Sequence, residues 1–203
     1  MAACLGHAQM RIQVHPELNF RIVNQKAVRS ELKLDEKQGK AVDDLVARMQ
    51  EKYQVRIEGG GDQAEIEKQI KEQFAAADKE IVKGLRESLT QDQFKRFEEL
   101  NLQSLGIGAL FIDRVQTALS LSDAQKKAAE EENGKVDEFM MGLATQTTGD
   151  NGEQQTRIEP NKEQRKKLRD LREKGLAAVV AAFSEGQKKK WTEMVGKKFE
   201  FDD

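Results

Sequence analysis

A short sequence pattern recurs five times and indicates where helices begin. An apolar residue or proline is followed by a helix-capping residue, two variable residues and a glutamine at 34–38, 89–93, 121–125, 160–164 and 183–187. The side-chain oxygen of Asp, Asn, Ser or Thr accepts a hydrogen bond from the free N–H groups of a helix's first turn. A glutamine three residues later reaches back to the N–H of the capping residue and completes a capping box. The pattern therefore predicts five helix starts, the copy at 160–164 being the weakest.

The four clear copies contain the residues to which we assign helix-capping roles. In each copy the apolar residue is expected to pack on the following turn, the second residue to cap the helix, and the glutamine to close the box. The residues are Leu34, Asp35 and Gln38; Leu89, Thr90 and Gln93; Leu121, Ser122 and Gln125; and Phe183, Ser184 and Gln187.

The composition is typical of long amphipathic helices. Only 2 of the 203 residues are proline, and aromatic residues make up 5%. The charged share of 34% is above the average for globular domains, and the hydrophobic share of 37% is below it. This balance argues against a β-sandwich and a membrane span, and the single Cys4 excludes an internal disulfide. The chain is predicted to be all-α.

The positions of the apolar and glutamine residues predict two related halves. Residues 28, 32, 34 and 38 match residues 115, 119, 121 and 125 at a shift of 87, and several residues from 85 to 100 match residues at a shift of 94. The predicted architecture is two tandem antiparallel helical hairpins from an internal duplication, capped by short C-terminal helical segments. The halves are placed at 20–106 and 107–203, after a mobile N-terminal segment 1–19.

Two polar, glycine-containing stretches are predicted to be loops inside the halves. The first surrounds the glycine run 59–61, and the second covers 145–155. The helix over 123–141 is predicted to be weak, because Asn133 and Gly134 interrupt it.

The N-terminus shows some features of an export signal. Residues 1–8 lack the charged region and the full apolar run of a secretory signal peptide, but Gly6-His7-Ala8 has the small-x-small form of a cleavage site. The first four residues loosely match a lipoprotein cleavage box, so lipidation at Cys4 is left open. A signal-peptide remnant and a frayed terminus remain equal alternatives.

The motif Leu-Thr-x-x-Gln, present verbatim at 89–93, resembles the LTXXQ signature of the Spy/CpxP family. The end of the chain, with the motif at 183–187, Trp191 and the run Gly196-Lys197-Lys198-Phe199, is similar to the endings of expanded, two-repeat members of planctomycete type. The resemblance implies an all-helical bacterial stress protein, periplasmic or otherwise exported. It also implies that the protein binds unfolded proteins as a chaperone without ATP.

Characterised members of the family form cradle-shaped dimers with a concave, basic and partly apolar client face. This chain differs in its net charge of −2, in the absence of proline from the four clear motif copies, and in carrying two motif-bearing halves. An intramolecular pair of halves could therefore replace the dimer, and a homodimer is left open.

Two aromatic residues and three lysines are the candidate client-binding residues. Phe97 and Trp191 occupy equivalent places after their capping boxes and could contact client peptides. The alternative, which the large buried area of aromatic side chains favours, is that each packs its terminal helix onto its own hairpin. Lys188, Lys189 and Lys190 belong to the segment 161–198, whose net charge of +7 contrasts with −5 over 121–159. They could attract acidic clients or form a solvated helix face.

The sequence gives little support to catalysis or metal binding. Cys4, His7 and His15 all lie in the first sixteen residues, so they supply neither a nucleophile with its base nor a set of zinc ligands. We predict no enzyme activity, no metal and no cofactor. Nucleic acid is not an expected partner, because the chain is not basic overall and its lysine runs lack interleaved aromatic residues.

Two functions are left to distinguish. The first is an exported Spy/CpxP-like protein that binds other proteins through an apolar and basic groove between the hairpins. The alternative is a structural or scaffold helical module without client binding, in which the hairpins bury their apolar stripes fully on each other.

Overall fold

The computed structural model describes residues 18–52, 63–148 and 154–201. Over these residues the chain forms eight α-helices, two 3₁₀ segments and one pair of short strands, so the all-α prediction is confirmed. The glycine run 59–61 and the residues Cys4, His7 and His15 lie outside the described part. The helices are α1 (Lys26–Glu31), α2 (Glu36–Lys52), α3 (Gln63–Ser88), α4 (Gln91–Leu105), α5 (Asp113–Leu119), α6 (Asp123–Met141), α7 (Lys162–Ala181) and α8 (Glu185–Val195), and the 3₁₀ segments are Phe20–Asn24 and Gly106–Phe111.

The order of elements is the same in the two halves. A short helix (α1 or α5) is followed by a capped helix (α2 or α6), a long helix (α3 or α7) and a second capped helix (α4 or α8). The two short helices also end alike. Lys33 (φ 52°) and Ser120 (φ 51°), which are 87 positions apart, both adopt the left-handed conformation that closes a helix. The next N–H in each case donates 3.1 Å back into the helix, from Leu34 to Arg29 O and from Leu121 to Gln116 O.

All five recurring motifs form both hydrogen bonds of a capping box. At the start of α4 the N–H of Gln93 donates to Thr90 Oγ1 (3.3 Å), and the N–H of Thr90 donates to Gln93 Oε1 (2.9 Å). The same two bonds join Asp35 with Gln38, Ser122 with Gln125, Asn161 with Gln164, and Ser184 with Gln187. Each box satisfies donors that a helix start leaves without an intrahelical partner.

The capping glutamines of each half also bond to each other, which the sequence analysis did not predict. Gln38 Nε2 donates to Gln93 Oε1 (2.7 Å), and Gln93 Nε2 donates to Gln38 Oε1 (3.1 Å). In the second half, Gln125 and Gln187 exchange the same two bonds at 3.0 Å each. We call each of these arrangements a glutamine pair. Each pair ties together the starts of two helices.

Each glutamine pair also holds the ends of two preceding helices. Gln93 Nε2 donates to Leu32 O (3.0 Å), just after α1, and Gln38 Nε2 donates to Ser88 O (3.2 Å), the last residue of α3. In the second half Gln187 and Gln125 reach Leu119 O (3.1 Å) and Ala182 O (3.2 Å) in the same way. The start of α2 therefore lies at the end of α3, so the two helices are antiparallel, and α6 and α7 are related likewise.

The buried apolar side chains form two cores. The N-terminal core is built by residues from Leu18 to Leu100, and the C-terminal core by residues from Leu102 to Trp191. The last described residues cross between them, because Phe199 and Phe201 pack on the N-terminal core. Their rings meet edge to face with centroids 5.0 Å apart, a favourable aromatic geometry.

The crossing segment 196–201, which we call the C-terminal strap, is held by one side chain of α4. Gln103 Nε2 donates to Val195 O (2.7 Å) and to Lys197 O (2.8 Å), and Gln103 Oε1 accepts from the N–H of Phe199 (2.8 Å). The strap fastens the end of the second half to the first half.

Gly196, at the start of the strap, is expected to tolerate no side chain. Its φ of +62° and ψ of −153° lie in a region essentially restricted to glycine, and a Cβ there would collide with the Glu99 carboxylate. Arg96 holds that carboxylate in place at 2.8 Å. We expect Gly196→Ala to lower the free energy of unfolding by about 1–3 kcal/mol, measured by urea titration.

Gly39→Ala is the matched control for this prediction. Gly39 lies in the interior of α2, and a Cβ there meets nothing within 4 Å. Alanine at this position should stabilise the protein by about 0.5–1 kcal/mol, because it loses less conformational entropy on folding than glycine. A Gly196→Ala protein as stable as the wild type would contradict the requirement for glycine at this position.

Three sequence predictions about segments need correction. The predicted loop 145–155 contains most of an antiparallel pair of strands, β1 (Thr145–Thr148) and β2 (Gln154–Arg157), with Thr145 opposite Arg157. Threonine favours extended backbone, and the stretch contains several.

The helix α6 runs without interruption, and Asn133 within it donates to Asp137 Oδ2 one turn later (3.0 Å).

The predicted mobile segment 1–19 extends two residues too far. Leu18 is buried in the N-terminal core, and the N–H of Asn19 donates to Oδ1 of the buried Asn101 (2.7 Å). Residues 1–17 lie outside the described part of the chain.

Candidate binding cleft between the two halves

A cleft of about 890 Å³ opens between the two halves of the chain. Helices α2 and α3 line it from the first half, and α6 and α7 line it from the second. The segment 18–21 and the junction of α4 with the following 3₁₀ segment complete the lining. This volume is within the range of sites that bind small molecules in proteins.

The walls of the cleft combine apolar side chains with polar ones, among which are Gln50, Gln73 and Ser104. Phe74, Ala77 and Ile81 follow each other at spacings of three and four along α3, so they share one face of the helix. Val136 and Met140 are one turn apart on α6 in the facing half. The other apolar side chains at the cleft are Leu18, Phe20, Met49 and Leu105.

One half-buried cation faces this apolar lining. Arg172 of α7 lines the cleft, and burial lowers the pKa of its guanidinium, while the nearby Asp137 carboxylate raises that pKa. Within the part of the chain that the structure describes, Arg172 has neither a hydrogen bond nor an ion pair. Asp137 instead accepts from Asn133 Nδ2 (3.0 Å).

The position of Arg172 depends on a glycine in the neighbouring segment. Gly106 has a φ of +56°, and a Cβ at this residue would lie 3.0 Å from Arg172 Cβ. A larger residue would combine backbone strain with a push on α7. Gly106 therefore lets α7 approach the end of α4, and this approach brings Arg172 to the cleft.

The structure does not place Phe97 and Trp191 where a client could touch them. Phe97 is 0% exposed in the N-terminal core, and Trp191 is 7% exposed in the C-terminal core. Of the two interpretations, the exposed aromatic contact is contradicted by this burial. The burial agrees with the alternative, in which each ring packs its capped helix against the rest of its own half.

The three candidate lysines lie on α8, outside the residues that line the cleft. Lys188 pairs with Glu185 (3.0 Å), and Lys190 donates to Ala118 O (3.1 Å). Lys189 is exposed. The structure does not bring these lysines together with the apolar lining, so the predicted single groove that is both apolar and basic is not formed by them.

Little large apolar surface is exposed elsewhere in the described part of the chain. The exposed large hydrophobic residues there are Met141 (51%) and Ile158 (37%). Isolated residues of this kind are normal on protein surfaces. In the cleft, Phe20, Phe74, Leu105 and Met140 are further apolar side chains that are partly accessible.

The described residues contain no group of three or more His, Cys, Asp or Glu side chains that could hold a metal ion. The helices of the described part also include none that combines the length and the apolar character needed to cross a membrane. Comparisons with protein-family models, with curated proteins and with solved structures found no match to this chain.

Proposed function

We propose that this protein binds apolar segments of other proteins in the cleft between its halves, without ATP, as an exported Spy/CpxP-like chaperone. The observation that carries the proposal is the cleft itself, with about 890 Å³ between facing apolar walls. Unfolded chains expose apolar side chains that folded chains bury, so an open apolar cleft offers them a partner surface. The LTXXQ resemblance supports the same class of function.

Met140 adds to this proposal. It lines the cleft from the second half and is partly exposed, whereas Met49 of the first half is buried in the N-terminal core. Methionine side chains are unbranched and polarizable, so they adapt to apolar partners of different shape. Such walls suit a binder of many unfolded sequences better than a binder of one rigid ligand.

We also propose that the two halves arose by duplication of one helical unit. The repeated order of helices, the two glutamine pairs and the left-handed residues at Lys33 and Ser120 support this origin. Left-handed non-glycine residues are uncommon, so their occurrence 87 positions apart is a specific similarity. A cleft between two such units within one chain would replace the groove of a dimer.

The alternative is a structural helical module without client binding. The burial of Phe97 and Trp191 favours it, because these residues serve the cores. Fluorescence of a dye that binds apolar surface separates the two functions. Client binding predicts a clear signal from the native protein, and the structural module predicts almost none.

The substitution Met140→Glu tests the proposal, and the neighbouring substitution Met141→Glu is its control. Met140 lines the cleft, whereas Met141 is exposed outside it. A carboxylate in the apolar cleft would oppose the entry of apolar segments, because desolvating a charge costs several kcal/mol. Met140→Glu should therefore weaken suppression of aggregation by ~10-fold or more, and Met141→Glu should leave it unchanged.

The measurement is light scattering of reduced insulin at stoichiometric protein and without ATP. Wild type and Met141→Glu should suppress the scattering to the same extent. If the wild type does not suppress aggregation, the proposed function fails. If Met140→Glu suppresses as well as the wild type, clients bind elsewhere.

A further inference from the structure

Arg172 is the one charged group of α7 that lines the cleft. Its guanidinium is half-buried and, within the described residues, takes part in no hydrogen bond or ion pair. A guanidinium carries five N–H donors in a planar fork that matches a carboxylate. Partly desolvated and without an acceptor, this cation lacks the partner that buried charges usually have.

Within the described residues the other charged groups at the cleft form no ion pair with Arg172, although the Asp137 carboxylate attracts it at longer range. Asp137 accepts from Asn133 at 3.0 Å, and Asp78 of the facing half already takes part in an interaction of its own. Arg21, at the edge of the cleft, is exposed. The two aspartates and the two arginines balance each other, so a ligand with a single negative charge beside Arg172 meets little net repulsion. A phosphate, with about two negative charges, would be repelled more strongly by Asp78 and Asp137.

We propose that the cleft binds a fatty acid, whose aliphatic chain lies along the apolar walls and whose carboxylate pairs with Arg172. The pairing would be a charge-assisted, two-bond contact in a partly desolvated place, where such contacts are strongest. The chain would cover Phe74 and Met140, which are partly exposed in the cleft, and would lie beside the buried Ile81. This binding site is independent of whether the cleft also accepts polypeptide segments.

The facing walls favour a flexible chain over a flat ligand. They combine aliphatic, methionine and phenylalanine side chains from both halves with polar side chains, and Arg172, Asp137 and Asn133 are the polar lining residues of α6 and α7. A fatty acid would place its polar end at Arg172 and its aliphatic body against the apolar side chains. Each methylene that enters the cleft should raise the affinity about fourfold.

The test is isothermal titration of the full chain with decanoate and dodecanoate, each below its micelle concentration. Dodecanoate should bind at one site and about 15-fold more tightly than decanoate, because it buries two more methylenes. Dodecyltrimethylammonium, which has the same tail and the opposite charge, should bind at least tenfold more weakly than dodecanoate (~1.4 kcal/mol per tenfold). These ligand comparisons use the wild type alone and do not depend on the folding of any variant.

Three variants assign the binding to Arg172. Arg172→Met should weaken dodecanoate binding by about 10-fold to 100-fold, the usual loss of a hydrogen-bonded charge. Asp137→Asn should strengthen it, because a nearby negative charge is removed. Lys174→Met, which removes an exposed cation from the same helix, should change it less than twofold.

Several results would overturn the proposal. They are no binding of dodecanoate, equal binding of the cationic and anionic detergents, or equal binding by wild type and a folded Arg172→Met protein. Each of these results is independent of the insulin assay, so the failure of one proposal does not conceal the failure of the other.

Discussion

Replacing Phe97 with alanine is expected to lower the free energy of unfolding by about 3–5 kcal/mol. The ring is 0% exposed in the N-terminal core and lies 6.2 Å from the ring of Phe94, centroid to centroid. Truncation would remove the contacts of the ring and leave a cavity that the surrounding helices fill only in part. Urea unfolding followed by circular dichroism measures the loss.

Two further variants serve as controls for this result. Met141→Ala truncates an exposed side chain and should change stability by less than about 0.5 kcal/mol. Phe97→Leu keeps most of the volume, so a protein that folds with leucine at this position should suppress insulin aggregation like the wild type. A folded Phe97→Leu protein that has lost suppression would mean that the ring contacts clients, contrary to its buried position.

Replacing Gln93 with leucine is expected to cost about 2–4 kcal/mol of stability. The side-chain amide uses both of its N–H groups and its oxygen. It accepts from Thr90 N–H and from Gln38 Nε2, and it donates to Leu32 O. Leucine would leave these groups without their partner at a point where four helix ends meet, and those that are partly buried would be only partly compensated by water.

Gln164→Leu is the matched control, because Gln164 closes a capping box without belonging to a glutamine pair. Among the described residues, its two bonds are both to Asn161. The Gln164→Leu substitution should lower the free energy of unfolding by only about 1 kcal/mol, the usual contribution of a helix cap. Equal losses at Gln93 and Gln164, measured by the same urea titration, would mean that the glutamine pair adds nothing beyond the capping box.

The capping boxes could be predicted from sequence because their bonds span three residues. Thr90 and Gln93 are close along any helix that begins between them, whatever the remainder of the chain does. The all-α class was predictable for a related reason, since the apolar spacing of α2 and α3 is a local property. The strands at 145–157 were missed because polar strands lack the apolar alternation that marks a buried strand.

The glutamine pairs and the strap depend on contacts between distant residues. Gln38 and Gln93 are 55 positions apart, and Gln103 and Phe199 are 96 apart. A repeated glutamine predicts a cap, but only packing shows that two caps face each other. Glutamine recurs at a position where glutamate would also close a capping box. This recurrence was the sequence signal for the glutamine pairs.

The cleft was predicted only as a groove between the hairpins, without its residues. Phe74 and Ile81 belong to a regular apolar seam, which predicts burial and cannot indicate that one edge of the seam stays open. The sequence did not mark Arg172 as a binding residue, because it is one of twelve basic residues in the segment 161–198. Its place in the cleft follows from the approach of α7 to Gly106.

Photocrosslinking from the cleft tests the proposed function most directly. The photoreactive amino acid p-benzoylphenylalanine replaces either Phe74, which lines the cleft, or Lys83, which is 77% exposed on the same helix. Each protein is irradiated with reduced, carboxymethylated lactalbumin, which stays unfolded. The account predicts a crosslinked product from position 74 and little from position 83. Equal products from both positions, or a product from position 83 alone, would contradict binding in the cleft.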